Sequence, residues 1–184
     1  MKRRNLLKYG LFGSLALVGG GIGLSLQSSK HYLYKGNLKV FTPDTLDVLA
    51  AVAEAIIPNN PPFPSALDLD VPEGVDTLLA NSHPAVQEEI TLLLGLLENA
   101  AVNALLHFKP TPFSKMTLEE RTRILAGWAS SPLALQRKGY KALNGLCQSA
   151  YYAQAKVHKH LGYDGPPTHL TMLVNAAQRS DGEP

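Results

Sequence analysis

The sequence predicts an all-α protein: a single compact helical domain of four to six helices, preceded by an N-terminal signal or anchor helix. Apolar residues recur at three- and four-residue spacing in several windows, and residues that start and stop helices flank those windows. No stretch shows the sustained alternation and hairpin turns of β-strands, and no internal repeat is evident. At 184 residues the chain is long enough for one core of ordinary size.

The predicted organisation has four parts. Residues 1–30 are a twin-arginine signal or signal anchor, and residues 31–41 are an extended lead. Residues 42–167 form the helical domain, and residues 168–184 are a C-terminal tail that ends in polar RSDGEP.

The N-terminal segment KRRNLLK resembles a twin-arginine export signal at Arg3, Arg4, Leu7 and Lys8. The next stretch, residues 9–26, carries no charge and holds six glycines, a mildly hydrophobic composition typical of such signals. It lacks a clean A-x-A cleavage site and is long enough to just span a bilayer, so a cleaved signal and an anchor both fit. Either way, we expect the rest of the chain on the periplasmic side of the bacterial inner membrane. This pathway commonly exports folded proteins that hold a cofactor, so a cofactor motif should follow.

The net charge of +2 comes from the basic residues of the N-terminal signal segment. Setting aside Lys2, Arg3, Arg4 and Lys8 leaves 13 basic residues against 15 acidic ones. Nucleic-acid binding needs a clustered basic face, so this balance argues against that function. The densest basic group, at positions 137, 138 and 141, is explained as the solvated face of a helix.

The first helix of the domain has the clearest boundaries. Thr42 is the predicted N-cap, Pro43 occupies the first helical position, and Asp44 lies in the positively polarised first turn. Pro58 ends the helix. Its predicted buried stripe consists of Leu46, Leu49, Ala53, Ile56 and Ile57.

Two helices are predicted in the middle of the chain. A short one starts at Asp70 and Pro72 and runs to about Asn81, and a long one starts at Pro84 and extends as far as Phe108. In the long helix the pattern assigns Val86, Ile90, Leu93, Leu94 and Leu97 to the core and Gln87, Glu88, Thr91 and Glu98 to the solvent side.

Local capping residues predict the last two long helices. Thr117 and Glu120 form a capping box for a helix through Ala129. Ser131 and Pro132 are expected to start the next helix, which continues to about Tyr152.

Motifs for catalysis, metals and nucleotides are missing from the sequence. Cys147 is the single cysteine, so it either pairs with another chain or, as its apolar helical stripe favours, is a buried inert thiol.

His158 and His160 are two residues apart in a predicted helical turn and point to different faces, which argues against a metal site. Trp128 is interpreted as a core residue.

The adjacent tyrosines Tyr151 and Tyr152 point about 100° apart on a helix, so one of them is expected to face outward. Aromatic residues with a polar group are enriched at interfaces.

Two segments carry a family resemblance. They are FTPDTLDVLAAVAEAIIP, residues 41–58, and AYYAQAKVHKHLGYDGPP, residues 150–167. Both resemble gluconate 2-dehydrogenase subunit 3, the small subunit of membrane-associated flavoprotein dehydrogenases. In that family a capped first helix ends at an Ile-Ile-Pro-like stop, and a late Tyr-Tyr pair precedes a short helix and a Gly-Tyr-x-Gly-Pro turn. The usual tryptophan of the short helix is absent here, and the His158 neighbourhood takes its place.

The resemblance implies a non-catalytic subunit that accompanies a large flavin-containing oxidoreductase of the glucose–methanol–choline type. It places FAD in that partner and none in this chain, with haem c in a third, cytochrome subunit of some complexes. The large subunit would be exported on the small subunit's signal, by way of the twin-arginine translocase. The implied partner interface consists of Tyr151, Tyr152, Gly162, Tyr163, Gly165 and Pro166. Glycine would permit unusual backbone angles in this turn, although a Schellman helix end at Gly162 explains that residue equally well.

A different class of function also fits the sequence. The chain could be a periplasmic helical enzyme or ligand-binding domain acting alone, with a pocket lined by Trp128, Tyr151 and His107.

Overall fold

The computed structural model describes residues 32–163, and within that range the chain forms seven α-helices, one 3-10 turn and no β-strand. The prediction of an all-α fold is confirmed, whereas the predicted count of four to six helices is too low. The signal segment 1–30 and the tail 168–184 lie outside the described residues. The helices are α1 (Pro43–Ile56), α2 (Val71–Ala80), α3 (Pro84–Glu98), α4 (Ala100–His107), α5 (Leu118–Ala129), α6 (Ala134–Tyr152) and α7 (Ala155–His160), with the 3-10 turn at Phe113–Lys115.

The extra helix arises because the long helix predicted from Pro84 to Phe108 is broken at Asn99. This residue has extended backbone angles, and its side-chain oxygen accepts hydrogen bonds from the N–H groups of Ala101 and Val102 at 2.9 and 3.1 Å. Asn99 therefore ends α3 and acts as the N-cap of α4. The two helices meet at an angle of 67°.

Helix α1 occupies the centre of the domain. Every residue from Leu46 to Ala53 is buried, and α1 packs against α2, α3, α5, α6 and the 3-10 turn. The Thr42 hydroxyl accepts the N–H of Thr45 at 3.3 Å, which confirms the predicted N-cap. Apart from Asp47, the residues from Leu46 to Ala53 are apolar, so burial extends well beyond the predicted stripe, within which only Ile56 is partly exposed.

The extended lead is fixed to the domain by Asp76 of α2. Its carboxylate accepts hydrogen bonds from the backbone N–H groups of Lys39, Val40 and Phe41 at 2.8, 3.0 and 2.9 Å. Asp76 is only 2% exposed, so water cannot replace these contacts. This clamp sets the position at which the chain enters α1.

Asp70 has a different role from the predicted helix-starting residue. It precedes α2 in a left-handed conformation (φ 49°) and makes no side-chain cap. Its carboxylate instead forms an ion pair with Lys35 at 3.2 Å. The helix itself starts one residue later, at Val71, with Pro72 in its first turn as expected.

Two assignments in α3 are wrong. Glu98, predicted to face solvent, is 4% exposed and accepts hydrogen bonds from the backbone N–H and hydroxyl of Ser114 at 2.8 and 2.6 Å. The 3-10 turn folds back over the end of α3 and covers this carboxylate. Val86, predicted to be buried, is 42% exposed because it lies in the first turn of α3, at the edge of the core. Ile90, Leu94 and Leu97 are buried as predicted.

The capping box of α5 is confirmed, since Thr117 and Glu120 each accept the backbone N–H of the other. Helix α6 starts at Ala134, later than predicted, because the hydroxyl of buried Ser131 accepts the N–H of Leu133 and holds that segment outside the helix.

Helix α6 packs against α2 and α5, and one glycine allows it to approach α3 and α5 closely. A Cβ atom at Gly139 would lie 2.8 Å from a methyl of Leu93 and 3.2 Å from the Trp128 ring. Trp128 is 2% exposed, which confirms its predicted place in the core.

Within residues 32–163, no single helix is both long and apolar enough to cross a membrane. Only α3 and α4 taken together, across their bend, meet that criterion.

Replacing Asp76 with Ala should lower the free energy of unfolding by at least about 3 kcal/mol, because the buried N–H of Phe41 and the partly buried N–H groups of Lys39 and Val40 lose a charged acceptor. Urea unfolding of the full chain measures this loss. Glu88→Gln, an exposed carboxylate of α3, is the control and should change stability by less than about 0.5 kcal/mol. Equal stability of Asp76→Ala and the control would show that the clamp contributes nothing.

Candidate partner-binding site

The two tyrosines that end α6 have different environments. Tyr151 is 4% exposed, and its hydroxyl donates to the carbonyl of Pro64 at 2.8 Å. Tyr152 is 50% exposed, and its ring meets that of Tyr151 edge to face at 5.3 Å. The prediction that one tyrosine faces outward is confirmed. Tyr151 thus supports Tyr152 from within the domain.

The chain leaves α7 through a Schellman motif. Gly162 adopts a left-handed conformation (φ 66°), and its N–H donates to the Lys159 carbonyl at 3.4 Å. The N–H of Tyr163 donates to the His158 carbonyl at 3.0 Å. These are the two bonds that define this helix end, as the sequence suggested. The role of Gly162 and Tyr163 in binding a partner stays a prediction, and Gly165 and Pro166 lie outside the described residues.

His158 contacts both the end of α6 and the turn that follows α7. Its Nε2 atom is hydrogen-bonded to the carbonyl of Tyr152, and its ring contacts the ring of Tyr163 edge to face at 5.3 Å. Leu161, 53% exposed, lies in the same short segment. We call Tyr152, His158, Leu161 and Tyr163 the α6–α7 tip.

The tip presents apolar and aromatic surface on a constrained backbone. Tyr163 is 48% exposed, similar to Tyr152. A buried tyrosine, a histidine bridge and a Schellman turn limit the conformations available to these side chains. Such surface loses little conformational entropy on binding, which suits a docking site.

His158 and His160 do not share a metal site. His160 contacts the ring of Phe63 at 5.6 Å, whereas His158 contacts Tyr163, so the two rings point in different directions as predicted. Across the part of the chain that the structure describes, no three His, Cys, Asp or Glu side chains are grouped to hold a metal ion.

A second exposed apolar surface was not predicted from the sequence. It is at the end of α4, where Leu105 is 79% exposed and Phe108 is 89% exposed in a left-handed conformation (φ 56°). The sequence feature that could have indicated this surface is the charge-free run AAVNALLHF, residues 100–108. Its apolar periodicity predicts only the end of a long helix.

The pocket expected for a stand-alone domain is not assembled as predicted. The buried Trp128 indole donates to Nε2 of His107 at 3.3 Å, while Tyr151 is hydrogen-bonded to Pro64. The cavity beside His107, about 150 Å³, is not lined by Trp128 or Tyr151. Its lining is His107, Lys109, Glu120, Arg123, Ile124 and Gly127.

A larger cavity of about 570 Å³ lies between the lead, α1 and α5. Its charged groups are engaged with each other: Arg121 pairs with Glu54 at 3.0 Å, and Lys35 pairs with Asp70. The Tyr32 hydroxyl donates to Glu73 at 2.8 Å, and burial together with that carboxylate raises the pKa of Tyr32. The contacts of Tyr32 and Lys35 attach the lead to the domain, whereas the Arg121–Glu54 pair joins α5 to α1.

Cys147 is fully buried, and burial raises the pKa of its thiol to about 12. The interpretation as an inert thiol is therefore confirmed, since only the exposed thiolate is reactive.

Comparison with known proteins gives one match. The family model described as Gluconate 2-dehydrogenase subunit 3 matches residues 43–166, from the first residue of α1 through the α6–α7 tip. No curated protein and no solved structure gives a significant match.

The buried carboxylate of Glu98 predicts a pH effect on stability. Burial raises the pKa of Glu98 above its ordinary value, although hydrogen bonds from Ser114 oppose the shift. A raised folded-state pKa favours folding below the unfolded pKa, and this contribution is lost as the pH rises through the folded value. Glu98→Gln keeps both contacts to Ser114 without a charge. The variant should therefore gain stability relative to the parent as the pH rises from about 4, the ordinary carboxyl pKa, towards neutrality.

Urea unfolding of both proteins across this pH range tests the effect. The exposed substitution Glu88→Gln should show no such trend. A difference between parent and Glu98→Gln that does not vary with pH would contradict the assigned shift.

Proposed function

The chain belongs to the gluconate 2-dehydrogenase subunit 3 family, and on that basis we propose that it is a non-catalytic accessory subunit of a flavoprotein dehydrogenase. Subunit 3 of gluconate 2-dehydrogenase implies a multi-subunit dehydrogenase complex. In the proposed role the chain binds a large flavin-containing subunit, helps it mature and carries it through the twin-arginine pathway. The observation that carries the proposal is the family match across all seven helices.

The surface of the domain supports a binding role. Tyr152, Leu161 and Tyr163 are each about half exposed, and the contacts of His158 and Tyr151 restrict the two tyrosines. Aromatic side chains on a pre-organised backbone are typical of the centre of a protein interface. We place the large subunit on the α6–α7 tip, with Gly165 and Pro166 continuing the contact.

The proposed export route rests on the N-terminal sequence. Arg3, Arg4, Leu7 and Lys8 resemble the twin-arginine signal, and that pathway accepts folded proteins. The proposed partner would acquire FAD in the cytoplasm, bind this chain there and cross with it to the periplasmic side of the inner membrane. A cytochrome c subunit that accepts the electrons would complete the complex.

Purification of the tagged full chain from its native membrane and periplasmic fraction tests the proposal. We expect a much larger chain to co-purify and the eluate to show the visible absorption of a flavin. Replacing Tyr152 and Tyr163 with Ala should weaken the complex at least about tenfold, since both side chains would be removed from the interface. The melting temperature should stay unchanged, because both side chains are half exposed.

Tyr34→Ala is the matched control, because Tyr34 is 41% exposed but lies in the lead, away from the tip. It should leave the complex intact. A colourless, solitary chain would overturn the accessory role. Equal losses of binding and melting temperature in the double variant would assign the tyrosines a purely structural role.

Replacing Arg3 and Arg4 with Lys should retain both this chain and its flavoprotein partner in the cytoplasm, because the translocase requires the arginine pair. Fractionation of cells followed by detection of both chains measures the outcome. Lys2→Arg, which preserves the pair and the charge, is the control. Arrival of the partner in the periplasm without this chain would refute the carrier role.

A further inference from the structure

The charges of the domain are distributed very unevenly along the chain. Residues 41–120 contain twelve Asp and Glu and only two Lys. Residues 121–163 contain seven Lys and Arg and no Asp or Glu. The second segment covers α6 and α7 and most of α5.

Most of the acidic residues are engaged within the domain. Asp76 holds the lead, and Glu98 is buried against Ser114. Further carboxylates neutralise nearby cations, including both arginines of α5. These ion pairs are Glu54 with Arg121 at 3.0 Å, Glu119 with Arg123 at 2.7 Å, Glu120 with Lys109 at 2.5 Å and Asp70 with Lys35 at 3.2 Å.

The five other cations of residues 121–163 have no such ion pair with any group among residues 32–163. Lys156 interacts electrostatically with Asp68, whose pKa is lowered mainly by hydrogen bonds from Ser65 and further by the charge of Lys156. The five are Arg137, Lys138, Lys141, Lys156 and Lys159, and all are exposed.

Lys138 and Lys141 lie on the solvent face of α6. At 100° per residue, positions 138, 141, 145, 149 and 152 fall within about 100° of one another around the helix. Every residue at these positions is exposed, so one continuous face leads from Lys138 to Tyr152 of the α6–α7 tip. Lys156 and Lys159 follow in α7. We call Lys138, Lys141, Gly145, Ser149 and Tyr152, with Lys156 and Lys159, the cationic face.

The side chains of this face favour a protein partner over a lipid surface. A helix that lies on a membrane exposes bulky apolar residues such as Leu, Phe and Trp. Between Lys141 and Tyr152 this face presents Gly145, Gln148 and Ser149, and a Cβ atom at Gly145 would meet nothing within 4 Å. Small residues between cations allow the surface of another protein to approach the helix closely.

We propose that the cationic face is docked by an acidic surface of the large flavoprotein subunit. This inference rests on the proposed function and adds the sign and extent of the interface: the contact continues from the α6–α7 tip along α6 and is complementary in charge. The unpaired cations then receive their counter-charge from the partner. Complementary charges accelerate association and make it sensitive to salt, whereas the aromatic tip contributes mainly to the lifetime of the complex.

The test uses the tagged full chain and its co-expressed flavoprotein, with association measured at low salt and near 1 M salt, where the Debye length is about 3 Å. Lys138→Glu combined with Lys141→Glu should slow association at least about tenfold at low salt. The difference should shrink at high salt. The control, Lys39→Glu with Lys115→Glu, makes the same change in net charge at exposed positions off the face and should change the rate less than about threefold.

Association of the Lys138/Lys141 variant at the parent rate would overturn the inference while leaving the accessory role intact. Failure of the parent chain to bind the flavoprotein would remove the accessory role itself. Binding of the parent chain and of the Lys138/Lys141 variant to vesicles of anionic phospholipid is measured as well. Loss of vesicle binding by the variant, with flavoprotein binding undiminished, would assign the face to a lipid surface and overturn docking. Unchanged melting temperatures of both variants exclude unfolding as the cause.

Discussion

The burial of α1 on all sides is the constraint to which the rest of the domain conforms. Eight consecutive residues, Leu46 to Ala53, are inaccessible to solvent, so no single neighbour can cover this helix. Helices α2, α3, α5 and α6 and the 3-10 turn surround it, and Asp76 fixes the point at which the chain enters it. Elements that do not cover α1, above all α4 and α7, are free to present side chains to a partner.

Acidic and basic residues also differ in where they make their contacts. Most carboxylates contact groups of the domain itself: they clamp the lead, anchor the 3-10 turn and pair with the arginines of α5. The cations of α6 and α7 have no comparable role within the domain. Since residues 121–163 carry no carboxylate and five exposed cations without an ion pair, α6 and α7 offer a partner a local surface of positive charge.

Local signals predicted the helices well because they act over a few residues. Thr42 with Pro43 and Thr117 with Glu120 satisfy backbone groups within one turn, and their boundaries agree with the structure. Asn99 is also a local cap, but the apolar periodicity that continues through it concealed the break. Burial of Glu98 depends on Ser114, sixteen residues later, and no helical pattern encodes that contact.

The candidate site is likewise only partly predictable from the sequence. Helical geometry predicted that one of Tyr151 and Tyr152 faces outward, and glycine chemistry predicted the turn at Gly162. From the sequence alone, the basic group at Arg137, Lys138 and Lys141 is explained as an ordinary solvated helix face. It becomes informative only when the structure shows that the acidic residues are engaged elsewhere.

Cys147 has one further consequence. The chain has a single sulfhydryl, and the packing of α6 makes it inaccessible. Folding of this domain therefore requires no oxidation step, and a reducing compartment and an oxidising one yield the same covalent product. Under the proposed export route, the domain can therefore reach its final covalent form before transfer, and transfer would change its surroundings without changing its chemistry.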